Sequence, residues 1–189
     1  MALIELTTER LILRTPTLAD TEAVTAFAND PGVSWGGYGI PHPCADEDSE
    51  AWIRKGGKKL DAEEGYAFLL VRKEDGAVMG DVQLNRDPTH NNGDIGYIIG
   101  TEYRGNNYAF EAAAELLRFA FEDIELHRVY ATCWARNEPS AHILEKLGFV
   151  REGVLREHAL KWGRYEDDVY YGLLRREWLG QQKTKDTTR

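Results

Sequence analysis

The stretch from Asp94 to Ile124 constrains the fold more than any other part of the sequence, because it combines three local signals in order. Residues 94–99, DIGYII, have the composition of a short buried strand. Further along, small and apolar residues recur at spacings of three and four, as on one face of a helix; they are Ala109, Ala112, Ala113, Leu116, Leu117, Ala120, Phe121 and Ile124. The pattern predicts a strand, a loop and a helix.

The loop of this unit, Arg104-Gly105-Asn106-Asn107, holds residues that tolerate a left-handed backbone. Such a backbone lets successive N–H groups point at one place at the helix N-terminus, where phosphate groups bind. Ordinary turn and capping roles explain the same residues equally well. The loop has neither G-x-G-x-x-G nor G-K-[ST], which argues against a dinucleotide-binding fold and a P-loop.

Length, charge and cysteine content narrow the class of protein. A chain of 189 residues, 42% of them apolar, can bury one core, so we predict one domain over residues 1–178 and a polar, fraying tail over 179–189. The net charge of −9 opposes direct nucleic-acid binding and favours a cationic or amine-bearing partner. We find in the sequence no apolar leader, no apolar run of membrane length and no disulfide framework. We therefore expect a cytoplasmic protein outside the membrane.

Local signals predict the remaining elements. Thr17 and Asp20 have the spacing of a capping box, which opens a helix that ends at residues 29–32. Two further helices are predicted, one over 46–60 and one that ends at Gly148. The other strands are predicted at 11–13, 66–72, 77–84 and 128–134, followed by a hairpin of 149–160 and 165–174. The long helix between strands 94–99 and 128–134 predicts a parallel crossover.

Residues 32–45 form a Gly- and Pro-rich connector that is long enough to be functional. Trp35 and Tyr38 in it are candidates for lining a substrate mouth, and coverage of the core edge is an equal alternative. His42 and Cys44 are two possible metal ligands without a second pair at zinc spacing, so we predict no metal site.

Three stretches then occur in order: TERLILRTPTLAD at 8–20, YRGNNYAFEAA at 103–113 and ARNEPSAHILEKLGFVREGVLR at 135–156. Together they resemble the Gcn5-related N-acetyltransferase (GNAT) superfamily, specifically its branch of ribosomal-protein N-terminal acetyltransferases. The resemblance implies a single-domain α/β (α+β) fold. Its sheet would be mixed and mostly antiparallel, flanked by helices and splayed between the fourth and fifth strands, with acetyl-CoA in the opening.

The resemblance also implies how acetyl-CoA is held. Its pyrophosphate would bind the loop amides of Arg104, Gly105, Asn106, Asn107, Tyr108 and Ala109. Asn107 stands where the family pattern has a glycine, which is tolerable if the position needs φ > 0, because asparagine adopts such angles more readily than most residues. The pantetheine arm would pair, like an added strand, with the backbone of Ile98, Ile99 and Gly100.

Catalytic residues are implied by the same resemblance. Many superfamily members use a general-acid tyrosine where this chain has Leu144, whereas the ribosomal-protein branch uses a serine at the position of Ser140, with Asn137 near the pantetheine. Helix capping is the alternative role for a serine or asparagine there. Asp94 occupies the position at which many relatives carry a glutamate on the fourth strand, so it is the candidate base, acting through water; a solvated or structural role is the alternative. Ala159 occupies the position at which some members of the branch carry a carboxylate.

These features predict an acetyl-CoA-dependent transfer of an acetyl group to a primary amine by direct attack. At pH 7 roughly a tenth of α-amines, but only a few parts in ten thousand of lysine side chains, are neutral. A site without an obvious strong base therefore suits the N-terminal α-amine of a protein or peptide. The alternatives are a small-molecule or polyamine acceptor and a non-catalytic acyl-CoA-binding module. The sequence leaves open whether the protein is a monomer or a homodimer.

Overall fold

The computed structural model describes residues 3–36, 41–161 and 163–187, with side chains described for 3–34, 41–161 and 163–183. Its strands are β1 Glu5–Thr7, β2 Leu11–Arg14, β3 Gly65–Arg72, β4 Val78–Asp87, β5 Asn92–Ile99, β6 Arg128–Trp134, β7 Val150–Lys161 and β8 Arg164–Leu174. Its helices are α1 Thr21–Ala28, α2 Pro31–Gly36, α3 Asp46–Asp61, α4 Tyr108–Arg118, α5 Glu138–Lys146 and α6 Arg175–Thr187.

The eight strands form one sheet in the order β1-β2-β3-β4-β5-β6-β8-β7. The sheet is mostly antiparallel, and β5 and β6 form its parallel pair, in which Asn92–Asp94 lie opposite Arg128–Tyr130. The predicted fold class and the predicted parallel crossover are therefore confirmed. The structure has one strand, β1, before the first strand that the sequence predicts. The fourth and fifth predicted strands, 94–99 and 128–134, are therefore β5 and β6 in the structure.

Contacts within the chain define two compact units. The first comprises Met1–Arg86 and Tyr97–Leu116, and the second comprises Asp87–Gly96 and Leu117–Arg189. The predicted domain limit at residue 178 stays a prediction.

The first unit packs α1 and α3 against the sheet. Val24 of α1, Ile53 of α3 and Leu69 of β3 share one buried cluster. The capping box before α1 is confirmed, because a carboxylate oxygen of Asp20 accepts the backbone N–H of Thr17 at 2.7 Å. Helix α3 begins with three acidic residues and has lysines in its last turn, the charge order that the helix dipole favours.

The second unit buries the end of the long helix predicted after the loop. That helix is α-helical only to Arg118 and continues as a π-helical turn over Phe119–Asp123. Phe121 in this turn is fully buried, and its ring lies 5.5 Å from that of Trp178 in α6. The contact ties α6 to the core of the unit.

The prediction of an irregular connector is wrong at its start, because its first residues belong to helix α2, Pro31–Gly36. The backbone of the predicted tail is helical through Thr187 as part of α6, and its fraying stays a prediction. Trp35 lies on α2 with its side chain outside the described part of the structure, and Tyr38 lies outside the described residues altogether.

Strand β7 forms one edge of the sheet and is exposed along most of its length. Its register with β8 shifts twice, between Arg151 and Gly153 and between Leu155 and Ala159. Within the second irregularity Glu157 has a φ of 51°, and its N–H donates to the Asp167 carboxylate at 2.8 Å.

Candidate functional site

In the first unit, the loop before α4 has the left-handed backbone that its sequence predicts. Gly105 has a φ of 81° and Asn107 a φ of 61°. Asparagine in place of the family's second glycine is therefore compatible with the conformation, since asparagine tolerates positive φ better than most residues. A Cβ atom on Gly105 would meet nothing within 4 Å, so the space in front of this backbone is open.

The loop leads directly into the N-terminus of α4, where the first-turn N–H groups have no acceptor within the helix. Arg104 anchors one end of it, because its Nε donates to the carbonyl of Ile99 at 3.0 Å. The Asn106 amide donates to the carbonyls of Tyr103 and Arg104, both at 3.2 Å. A fixed backbone that directs N–H groups to a helix N-terminus can hold a phosphate. The residues thus fit the pyrophosphate of acetyl-CoA.

A network around Glu111 fixes the first turn of α4. The Glu111 carboxylate accepts bonds from the Thr8 hydroxyl at 2.5 Å and from the backbone N–H and Nε of Arg10 at 2.9 and 2.7 Å. Although burial raises the pKa of Glu111, these hydrogen bonds outweigh it, and the pKa lies below its usual value. The Arg10 guanidinium also lies 4.5 Å from the ring centre of Tyr108, the first residue of α4.

The strand that would receive the pantetheine ends at the same loop. Ile98 and Ile99 close β5, and the N–H of Gly100 donates to the carbonyl of Met79 at 2.8 Å. A Cβ atom on Gly80 of β4 would lie 2.1 Å from the carbonyl oxygen of Ile98, so a glycine is required for this close approach.

In the second unit, Asn137 caps α5 by accepting the backbone N–H of Ser140 at 3.2 Å. The Ser140 side chain hydrogen-bonds the thiol of Cys133. Burial raises the pKa of Cys133 to about 11, although the bond from Ser140 lowers it in part. Cys133 is therefore a neutral thiol at pH 7, which is a poor nucleophile.

The candidate base Asp94 also belongs to the second unit. It lies on β5, half-buried, opposite Tyr130 in the parallel pair. Burial raises the pKa of Tyr130, and the negative charge of Asp94 raises it further. Thus Asp94, Asn137 and Ser140 belong to one unit, while residues 98–100 and 104–109 belong to the other.

Two buried carboxylates on β8 were not predicted. Ala159 lies opposite Glu166, which is paired with Arg136 at 2.7 Å. Two residues further along β8, Asp168 pairs with the ring of His158 at 2.8 Å. The available sequence signal was the spacing of two between Glu166 and Asp168, which places both carboxylates on one face of the strand.

A cavity of about 600 Å³ opens within the first unit, between α1, α3 and the sheet. Its walls are mostly apolar, and the polar groups are few. The lining residues are Val24, Phe27, Ala28, Pro41, Cys44, Asp48, Ser49, Ala51, Trp52, Lys55, Leu69, Asp81, Gln83 and Ile98. Large pockets with few convergent polar groups are typical ligand sites.

Asp81 is the buried charged group of this cavity, with 5% of its surface exposed. Burial raises the pKa of Asp81 to about 6, and a hydrogen bond from Gln83 Nε2 at 2.6 Å opposes the rise. Sequence reasoning missed Asp81, which lies in the buried stretch 79–82 of β4.

Within the described ranges, three or more His, Cys, Asp or Glu side chains do not cluster in a way that could hold a metal ion. The helices of the described chain include none that is long and apolar enough to span a bilayer.

Comparisons with known proteins agree on one family. The family model described as Acetyltransferase (GNAT) domain matches residues 10–150. The chain is 32% identical over 174 residues to the uncharacterized N-acetyltransferase YnaD of Bacillus subtilis, covering 92% of this chain and 98% of that protein. It is 31% identical over 84 residues to the ribosomal protein uS5-alanine N-acetyltransferase of Escherichia coli, covering 44% and 43%.

Among solved structures, a GNAT-family acetyltransferase from Bacillus anthracis superposes with a TM-score of 0.79 at 28% identity, covering 92% of this chain and all of that one. The family's enzymes take their acetyl group from acetyl-CoA. The family model covers most of the chain, and the fold and the loop before α4 agree with it. The chain therefore belongs to the GNAT acetyltransferase family.

Proposed function

We propose that this enzyme transfers the acetyl group of acetyl-CoA to the N-terminal α-amine of a protein or peptide. The observation that carries the proposal is the left-handed backbone at Gly105 and Asn107, which opens the N-terminus of α4 toward an anion. The similarity to an enzyme named for the alanine of a ribosomal protein supports the choice of acceptor. The net charge of −9 would attract a basic peptide.

Acetyl-CoA would be held by backbone groups of the first unit. The N–H groups of residues 104–109 would bind the pyrophosphate. Of the predicted pantetheine partners Ile98, Ile99 and Gly100, the N–H of Gly100 already donates to Met79, so the pairing would rest on Ile98 and Ile99. Preorganised N–H groups near Ile98 would stabilise the charge that develops on the thioester oxygen.

The transfer itself needs a neutral amine and a proton for sulfur. Asp94 would take a proton from the ammonium group through water, after which the nitrogen attacks the thioester carbon. A C–N bond forms, the C–S bond breaks, and the nitrogen loses a second proton to solvent. Ser140 would donate a proton to the departing thiolate and regain one from solvent, and Asp94 would return its proton to solvent, so that one net proton is released per turnover.

We also place the enzyme in the cytoplasm. Cys44 and Cys133 are free and buried, which fits a reducing compartment.

A competition assay tests the acceptor. We expect a peptide with a free N-terminus and a blocked lysine to be acetylated at least about tenfold faster than the same peptide with the blocks reversed, because far more α-amine is neutral at pH 7. Mass spectrometry locates the acetyl group. Dominant lysine modification, or rapid turnover of a polyamine beside inert peptides, would replace the acceptor but keep the acetyltransferase. Acetyl-CoA binding without consumption on any amine would indicate a non-catalytic module.

A glycine substitution tests the anion site. We expect Gly105→Val to weaken acetyl-CoA binding about tenfold in calorimetry, because a β-branched residue resists a φ of 81° and displaces the N–H groups. Gly163→Val is the matched control, since Gly163 has a φ of 78° and open space around it, but lies in the turn between β7 and β8. Equal affinity in both variants would remove the loop from the site.

A further inference from the structure

The cavity of the first unit contains a carboxylate that the mechanism above does not use. We propose that Asp81 binds the ammonium group of the acceptor in this cavity and is the base that deprotonates it, in place of Asp94, while an apolar first residue of the acceptor packs against the cavity wall. The inference rests on the proposed function and assigns the acceptor site within it.

The burial of Asp81 is the first argument. A carboxylate with 5% of its surface exposed is costly to ionise unless a cation or several donors compensate it. Among the residues that the structure describes, Gln83 donates one hydrogen bond to Asp81, and the ion pairs do not include Asp81. An ammonium group entering the cavity would supply the missing positive charge.

The lining of the cavity is the second argument. Phe27, Pro41 and Trp52, which are not fully buried, offer apolar surface that can cover an aliphatic side chain next to the amine. A volume of about 600 Å³ exceeds what one amino group fills, which suits the first residues of a peptide.

The position of the cavity is the third argument. Ile98 forms part of its wall and also belongs to the strand proposed to carry the pantetheine arm. An amine held by Asp81 in this cavity would therefore be delivered along the wall that includes Ile98, toward the thioester.

The ionisation of Asp81 suits the task. Its pKa, raised by burial to about 6, leaves it ionised at pH 7 to 8 while making it a stronger base than an exposed aspartate. The other titratable groups that line the cavity are Cys44 beside α3 and Asp48 and Lys55 on α3. In the step, an N–H bond of the ammonium breaks and an O–H bond forms on Asp81, and the freed electron pair of nitrogen forms the C–N bond as the C–S bond breaks. The nitrogen then loses a second proton to solvent, the thiolate gains one from Ser140, and Asp81 returns its proton to solvent.

The test compares Asp81→Asn with Asp94→Asn, using an alanine tripeptide amide and its N-acetylated form as probes. In calorimetry without acetyl-CoA, we expect the wild-type protein to bind the free amine and not the blocked one. Asp81→Asn should lose at least about tenfold in this affinity, whereas Asp94→Asn should keep it. Wild-type protein that binds neither probe, or an Asp81→Asn variant that binds like wild type, would overturn the inference.

Kinetics give an independent measurement. Loss of a general base typically costs about a hundredfold or more, so kcat/KM of Asp81→Asn should fall by that factor, and the acid limb of its pH profile near 6 should disappear. Gln83→Met should move that limb to higher pH, because the hydrogen bond from Gln83 lowers the pKa of Asp81. A limb that survives in Asp81→Asn and disappears in Asp94→Asn would return the base to Asp94.

The two proposals fail in different ways. If wild-type protein consumes no acetyl-CoA with any amine, the proposed function fails, while the binding comparison still reports on the cavity. Unchanged acetyl-CoA affinity and an unchanged circular dichroism spectrum verify that Asp81→Asn is folded. The substitution is nearly isosteric.

Discussion

Replacing Ser140 with alanine is expected to lower kcat about a hundredfold and to leave acetyl-CoA affinity close to wild type. The substitution would remove the hydroxyl that is proposed to donate a proton to the CoA thiolate. The helix cap at this position would survive, because Asn137 accepts the backbone N–H of Ser140 and not its side chain. A loss of folding is therefore not expected to mask the kinetic effect. Steady-state kinetics and calorimetric titration with acetyl-CoA measure the two quantities.

Cys133 provides the control for this prediction. The Ser140 side chain hydrogen-bonds the Cys133 thiol, so a purely structural serine would act through that contact. Cys133→Ala removes the same contact and leaves the hydroxyl. We expect it to retain most of kcat. Equal losses in both variants, or nearly full turnover in Ser140→Ala, would contradict a role for Ser140 in proton transfer.

Asp81→Asn is expected to be more stable than the wild-type protein at pH 8, by up to about 3 kcal/mol, and no more stable at pH 4. Burial raises the pKa of Asp81 from 3.8 to about 6, so the folded state disfavours the charged form. The stability contributed by neutral Asp81 is complete below pH 3.8 and is lost as pH rises through 6. The amide cannot ionise and escapes this loss.

Denaturant unfolding at several pH values measures this difference. Asp61→Asn, which removes an exposed carboxylate at the end of α3, controls for the change in net charge. A stability difference that does not grow between pH 4 and pH 8 would show that Asp81 is not ionised at a cost in the folded state. A gain in stability together with a loss of activity would indicate a residue retained for function.

The parts of the structure with strong local signals were predictable from the sequence. Helix α4 has a long apolar repeat with helical spacing, and the loop before it holds residues suited to positive φ. The type and order of these two elements could therefore be predicted from the sequence. Ser140 and Asn137 could be singled out because they lie inside a motif. These features depend on neighbours in sequence.

Helix α2 illustrates what could not be predicted. It is six residues long and contains glycine, so it has little intrinsic stability. Its support comes from tertiary contacts: Asp30, which directly precedes the helix, accepts the backbone N–H of Thr101 at 2.6 Å, and Val33 is fully buried. Only the folded chain reveals such contacts.

Asp81 was missed for a related reason. Strand β4 is buried on both faces over residues 79–82, so its sequence lacks the alternation that would show which way each side chain points. From the sequence alone, a carboxylate at this position is interpreted as a solvent-exposed residue. The structure shows instead that Asp81 lines the cavity.

The irregular pairing of β7 bears on the solubility of the protein. An exposed edge strand offers its free N–H and C=O groups to any neighbouring molecule and can template intermolecular sheets. The two register shifts in β7 and the left-handed Glu157 divide this edge into short segments, and an incoming strand cannot keep pairing across them. At the opposite edge, β1 has only three residues. Neither edge therefore gives a second copy a long, regular surface on which to extend the sheet at high concentration.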